Sequence, residues 1–338
     1  MILESERALR PRLAITMGDV NGIGPEILAK ALSRDAVFSV CDPLVVGSAS
    51  ILAAQGPMLA NLPQLREVRD PAGWRHEPGT LSVFSAGVAD PPHTPGVLDG
   101  VAGAAAVAWI RAAVQLTLDG VVDGIVTCPI NKEGIKLGGC PSTGHTEIIA
   151  EMTGSPDYRM CLFTDQMRIV HISAHFPLRE AVEMVRTDRI ETSIRIAHDA
   201  LNRIGLPRKR IAVAGLNPHA GEAGLLGDEE SREIEPAIAR CQTEGIDCSG
   251  PYPPDTVFRR MADGEFDLVV AMYHDQGHIP LKLIAMDEGV NVTLGIPIVR
   301  TSVDHGTAYD IAGTGVARDD SLCAAIRLAA RLTGKSWA

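Results

Sequence analysis

The sequence predicts an α/β protein built on a mostly parallel sheet, and three observations carry that reading. Short apolar runs at residues 168–172, 210–215 and 266–272 read as buried strands. Segments of helical character, 178–186, 189–204 and 229–240, alternate with them, which is the pattern of βα units. Each run passes directly into a histidine-bearing turn: Ser173-Ala174-His175, Asn217-Pro218-His219 and Tyr273-His274. Ligands of such sheets bind beyond the carboxyl ends of the strands, so these turns are expected to meet at one sheet edge.

The remaining elements follow in order. Residues 12–17 read as a strand, and the glycine loop 18–26 (GDVNGIGPE) leads into a helix over 27–32, with Pro25 placed in its first turn. Strand, loop and helix start form a place where backbone N–H groups and the helix dipole could receive an anion; a tight structural turn carries equal weight. A short strand is expected at 44–46. Residues 57–94, rich in Pro and Gly, read as loops with a strand near 81–84, and His76 and His93 there read as solvated. An Ala-rich helix over 101–118 precedes a strand at 124–127 that ends at Cys128-Pro129, followed by Asn131 and Lys132. The loop 138–147 (GGCPSTGHTE) places His145 and Thr146 at the next helix start, and 320–332 reads as a closing amphipathic helix.

Composition narrows the function classes. A chain of 338 residues with 46% hydrophobic and 22% charged residues has the makings of a folded core, and its length favours about two domains. The net charge of −11 argues against nucleic acid or an anionic membrane as partner, but not against a small anionic substrate. Seven cysteines without CxxC spacing fit free thiols. The opening MILESERALRPR has no apolar core of a secretory signal, and the apolar run 101–110 is too short to span a bilayer, so the cytoplasm is the expected location.

Chemistry concentrates in residues 271–315. His274, His278 and His305 stand there with Asp275, Asp287, Glu288, Asp304 and Asp310, and with Lys282 and Arg300, among six glycines. Three imidazoles at equivalent strand ends, His175, His219 and His274, suit Zn or another divalent ion with a position left open for substrate oxygens. His171 reads as core, His198 as a surface or packing residue, and His278 stays open. Lys282 and Arg300 flank the apolar run 290–294, which contains Asn291, and point to a carboxylate or phosphate.

Several motifs in this order resemble a known family. GDVNGIGPE and HGTAYDIAGTGVA are similar to the signatures of isocitrate and isopropylmalate dehydrogenases. GHTE, AHFPL, GLNPHAGE, MYHDQG, GVNVTLG and IVRTSVDHGTA resemble the 4-hydroxythreonine-4-phosphate dehydrogenase family, from Leu13 to Leu328. Val20-Asn21 departs from the Pro-Ala usual there. The resemblance implies a three-layer α/β/α two-domain fold of the isopropylmalate dehydrogenase type, with the active site in the interdomain cleft. The implied division is 1–128 with 286–338, carrying the cofactor loop, and 129–285, carrying metal ligands and dimer contacts. It implies a divalent metal (Zn, Mg or Co) on His175, His219 and His274, with one ligand supplied across a homodimer. Implied substrate contacts are His145, Thr146, Lys282, Asn291 and Arg300. NAD or NADP would bind near Gly306, Thr307, Ala308 and Asp310.

The implied reaction is oxidation of 4-phosphohydroxy-L-threonine to a β-keto acid that loses CO₂ to give 3-amino-2-oxopropyl phosphate, in pyridoxal phosphate biosynthesis. The alternative is a paralogue acting on threonate or erythronate 4-phosphate, or on a dihydrodiol carboxylate. Asp275 and Asp255 are the acids for proton transfer or ligand support. Two rivals are a phosphate or acyl transferase on the same fold, and a metabolite-binding regulator; neither has an evident use for three metal histidines.

Overall fold

A computed structural model describes residues 10–56, 61–285 and 289–335; Asp287 and Glu288 lie outside the described residues. The chain forms two compact units, one joining the residues up to Pro156 with those from Ile296 onward, the other spanning Asp157–Gly295.

The first unit holds strands β1 (Arg12–Thr16), β2 (Asp42–Val46), β3 (Gln64–Glu67), β4 (Thr80–Phe84), β5 (Gly124–Thr127) and β12 (Val299–Val303). They lie in the order β3-β4-β2-β1-β5-β12, every pair parallel. Helices α1 (Gly24–Ala31), α2 (Asp35–Val40), α3 (Ala49–Ala53), α4 (Gly100–Leu118), α5 (Lys132–Leu137), α6 (His145–Thr153) and α12 (Asp320–Leu332) belong to it. The central strands are buried on both faces, which is why β5 (GIVT) reads as a continuous apolar run. Helix α4 matches the Ala-rich helix expected over 101–118, and by length and composition its 19 residues could cross a membrane, unlike the apolar run 101–110 alone. Here it is a core helix, with Trp109 and Ile110 fully buried and contacts to β1, α5 and α6. Gly103 makes the α4–α5 crossing possible, because a Cβ there would collide with the Gly134 carbonyl.

The second unit holds β6 (Arg159–Phe163), β7 (Arg168–His171), β8 (Ile211–Ala214), β9 (Cys248–Tyr252), β10 (Leu268–Ala271) and β11 (Val290–Leu294), in the order β11-β6-β7-β10-β8-β9. Helices α7 (Leu178–Glu183), α8 (Thr187–Ile204), α9 (Glu235–Thr243), α10 (Val257–Ala262) and α11 (His274–Ala285) complete it. Its core gathers Leu162, Ile169, Val269, Phe258 and Met261. Strand β6 pairs antiparallel with both β7 and β11, so this sheet is mixed. The β6–β7 hairpin turns on Thr164, whose N–H donates to the Met167 carbonyl and whose hydroxyl accepts from Met167 N–H.

The unit boundaries fall later than the 128/129 and 285/286 divisions implied by the resemblance. Residues 129–156 stay with the first unit because α5 and α6 pack on α4. Strand β11 belongs to the second unit through its ladder with β6.

Candidate active site

Strands β7, β10 and β8 are neighbours and run parallel, with Val269 opposite Ile169 and Val270 opposite Val213. Their carboxyl ends therefore share one edge of the second unit, and His175, His219 and His274 follow those ends. His175 is exposed in the loop between β7 and α7, and its ring lies 5.6 Å from that of His274. His219 opens a left-handed turn in which His219, Ala220, Gly221, Glu222 and Ala223 have φ of 53°, 56°, 78°, 43° and 56°. Non-glycine residues there cost roughly 1 kcal/mol each, so the turn needs support. Buried Glu230 provides it, accepting from the N–H groups of Leu216 and Asn217 and from the Asn217 amide. Among the described residues, no three His, Cys, Asp or Glu side chains of the one chain stand together as a metal group.

The donor chemistry of His274 nevertheless suits a cation. Its Nδ1 lies 2.7 Å from the Asp275 carboxylate, which can only accept, so the proton sits on Nδ1 and Nε2 keeps its lone pair. His274 stacks on His278 at 3.6 Å between ring centroids. His278 is buried and meets His171, the last residue of β7. Burial first, then the neighbouring imidazoles, lowers His171 to about 3 and His278 to about 4, so both are neutral at physiological pH. Sequence reading left His171 in the core; it is core by burial, yet part of this cluster. The signal was its spacing four residues before His175. Asp255 and Asp275 line a cavity of about 450 Å³ with Phe258, Ile279, Pro280 and Leu283. Lys282 is exposed on α11, and Asn291 lies on β11 opposite Leu162.

The first unit holds the other predicted contacts. Arg300 is 3% exposed on β12 and donates to the Thr127 hydroxyl. Burial pulls its guanidinium down to about 10, and the Glu147 carboxylate partly offsets this. His145 opens α6 and Thr146 follows it. Among the described residues the buried Nε2 of His145 has no hydrogen-bond partner. Burial first, then the charge of Arg300, push this imidazole well below its usual range, against a backbone hydrogen bond at Cys128 that raises it.

In the glycine loop 18–26 four amides hold a structural turn. Asp19 N–H donates to the Pro129 carbonyl, Asn21 N–H to the Asp19 carboxylate, Gly22 N–H to the Asp19 carbonyl and Ile23 N–H to the Thr307 carbonyl. A Cβ at Gly22 would fall 2.8 Å from Thr307 Cβ, so the loop seats the segment bearing Gly306, Thr307, Ala308 and Asp310. Tyr309 donates to Asp19 at 2.6 Å, and Glu26 accepts from Gly315 and Ala317 N–H. Asp19 and Tyr309 are both raised, Asp19 chiefly by burial and Tyr309 by burial and the adjacent carboxylate.

The chain is similar in sequence and fold to known dehydrogenases. D-threonate 4-phosphate dehydrogenase of Salmonella typhimurium is 47% identical over 323 residues, 95% of this chain and 98% of that protein. 4-Hydroxythreonine-4-phosphate dehydrogenase of Desulfosudis oleivorans is also 47% identical, over 95% of each chain. A crystal structure of 4-hydroxythreonine-4-phosphate dehydrogenase from Klebsiella pneumoniae superimposes with a TM-score of 0.84 at 44% identity, covering 96% of this chain and 99% of that one. The model of the family described as pyridoxal phosphate biosynthetic protein PdxA matches residues 39–329, and to that family this chain belongs.

Proposed function

We propose that this protein is a metal-dependent, NAD- or NADP-linked dehydrogenase of a 4-phosphorylated hydroxy acid, 4-phosphohydroxy-L-threonine in the first reading. The observation that carries this is the placement of His175, His219 and His274 past the ends of three adjacent parallel strands, with the His274 ring hydrogen-bonded to Asp275. A divalent ion (Zn, Mg or Co) would supply Lewis acidity to the reacting hydroxyl, and the nicotinamide would accept the hydride. The product is a β-keto acid that loses CO₂.

The chain's own residues do the remaining work. Asp275 fixes the ring of His274, which leaves Asp255 as the acid to take the hydroxyl proton. Arg300 offers a planar fork and Lys282 a point charge to the anionic groups, while His145, Thr146 and Asn291 complete the substrate contacts. Gly306, Thr307, Ala308 and Asp310 face the cofactor. Large exposed apolar side chains follow each histidine: Phe176 and Leu178, Leu225 and Leu226, and Ile279, Leu283 and Ile284. With Leu225 and Leu283 above 80% exposed, this face fits a second copy of the chain, which supplies one metal ligand across the homodimer. The relative of that name at 47% identity favours a second reading, oxidation of threonate 4-phosphate.

Absorbance of reduced nicotinamide, followed across a panel of phosphorylated hydroxy acids, tests the proposal. Reduction with a 4-phosphorylated acid supports it; acyl or phosphoryl transfer without nicotinamide turnover would replace it.

A further inference from the structure

The left-handed turn that opens at His219 stores strain that its own packing does not offset. His219, Ala220, Glu222 and Ala223 all carry a Cβ at positive φ. The turn lies at the surface, with His219, Glu222, Ala223 and Leu225 exposed, so burial of apolar side chains contributes little to it. Backbone held in this way persists where neighbouring groups over-determine it, and such places cluster at functional sites.

Those neighbouring groups meet at one carboxylate. Glu230 is 4% exposed, and its Oε1 accepts from the N–H groups of Leu216 and Asn217, each at 2.8 Å. Its Oε2 accepts from the Asn217 side-chain amide at 2.9 Å, and the same amide donates to Glu229 at 2.7 Å. The space around the carboxylate is reserved by glycine. A Cβ at Gly215 would fall 2.8 Å from Ala220 Cα and 3.2 Å from Glu230 Oε1, and one at Gly221 would fall 2.7 Å from Oε2. The mount is firm as well. Glu230 begins a π-helical turn, Glu230–Ile234, that runs into α9, and Glu233 in that turn accepts from the N–H and the hydroxyl of Thr187, both at 2.9 Å.

We propose that Glu230 is a positioning residue for His219: by holding residues 216 and 217 and seating Gly221, it keeps the turn left-handed and so sets the direction of the His219 imidazole. This rests on the metal-dependent reading above and deepens it. A turn relaxed to right-handed or extended residues would redirect the Cα–Cβ bond of His219, and a divalent ion would lose that imidazole while keeping His175 and His274, which lie outside the turn. Asp275 bonds the ring of His274 itself, whereas Glu230 acts on the backbone that carries His219.

Two variants of the full chain disturb this junction from opposite sides. Glu230→Gln keeps an acceptor for the two backbone N–H groups but turns an NH₂ toward the Asn217 amide, donor against donor. Gly221→Ala leaves the carboxylate in place and pushes the turn away from it. Amide hydrogen exchange without metal comes first. The N–H groups of Leu225 and Leu226 bond the Glu222 and Gly221 carbonyls inside the turn. They should exchange at least about 10-fold faster in both variants, while the amides of β8 keep their protection and report an intact fold. Zinc affinity by calorimetry should then fall about 10- to 100-fold in both. With Co in place of Zn, the visible spectrum of each variant should match that of His219→Ala. Unchanged exchange at Leu225 and Leu226 in Glu230→Gln would overturn the claim that the carboxylate holds the turn. Faster exchange with wild-type zinc affinity would overturn the positioning of His219 and leave the metal reading standing. A wild type that binds no zinc would end the metal reading and this role together.

Discussion

Asp275 and His274 are adjacent in sequence and bonded in space, the carboxylate receiving the imidazole Nδ1–H at 2.7 Å. The bond fixes which way the ring lies and which nitrogen would face the proposed metal. Replacing Asp275 by Ala should weaken divalent-metal binding about 10- to 100-fold, the usual effect of removing a carboxylate behind a ligating histidine. Calorimetric titration with Zn checks this. Unchanged affinity would mean that the carboxylate does not orient the ligand.

His145 gives a pH prediction. Its folded pKa lies well below the ordinary 6.5, so the unfolded chain takes up a proton near 6.5 that the folded chain refuses. Its contribution to stability is complete above that value and is lost as the pH falls below it, by at most about 1.4 kcal/mol per pH unit. Chemical denaturation of His145→Gln against wild type should show a shallower loss between pH 6.5 and 5. Parallel curves would mean that His145 protonates freely in the fold.

Arg300 is buried on β12 with its guanidinium on the Thr127 hydroxyl. Arg300→Ala should cost about 2–5 kcal/mol in kcat/KM with a phosphorylated substrate, the range for losing one partner of a buried charge pair. Arg300→Lys should recover part, since the fork is lost. Equal losses on phosphorylated and unphosphorylated acids would assign Arg300 to the carboxylate or to the fold.

How far the sequence could be read depends on which physical signal each part gives. Strands β8 and β10 were legible because burial on both faces leaves them apolar throughout, β7 by its apolar Ile169-Val170 centre, and the histidines after them by position. Strand β6 was missed because RMCLF begins with a buried arginine and turns at TDQM without Gly or Pro. Arg159 is accommodated there by the Ser193 hydroxyl and by backbone carbonyls, which only the fold reveals. The meeting of His171 with His278 depends on α11 reaching β7 at Gly277, a tertiary contact with no local pattern. The loop 18–26 carried an anion-site pattern, but long-range bonds to Pro129 and Thr307 take the amides of Asp19 and Ile23, which no local pattern shows.

Gly22 offers a test of that seating. Gly22→Val would drive a side chain into Thr307 and displace the 305–311 segment. The KM for NAD or NADP should rise more than the KM for the acid substrate, with the fold retained. Equal effects on both would detach this loop from cofactor binding.

The exposed apolar face after the histidines gives a further test. Leu283→Asp, on a side chain 82% exposed, should leave the fold of one chain intact and shift sedimentation toward monomer. Activity should fall with the dimer. An active monomer would show that the site is complete within one chain.

The most direct measurement is the rate of NAD or NADP reduction by protein stripped of metal, with a 4-phosphorylated hydroxy acid present, before and after a divalent ion is restored. The account expects no turnover in the stripped protein, recovery on adding Zn, Mg or Co to wild type, and no recovery in a folded His219→Ala variant. Full turnover by stripped wild type, or recovery in His219→Ala equal to wild type, would contradict it.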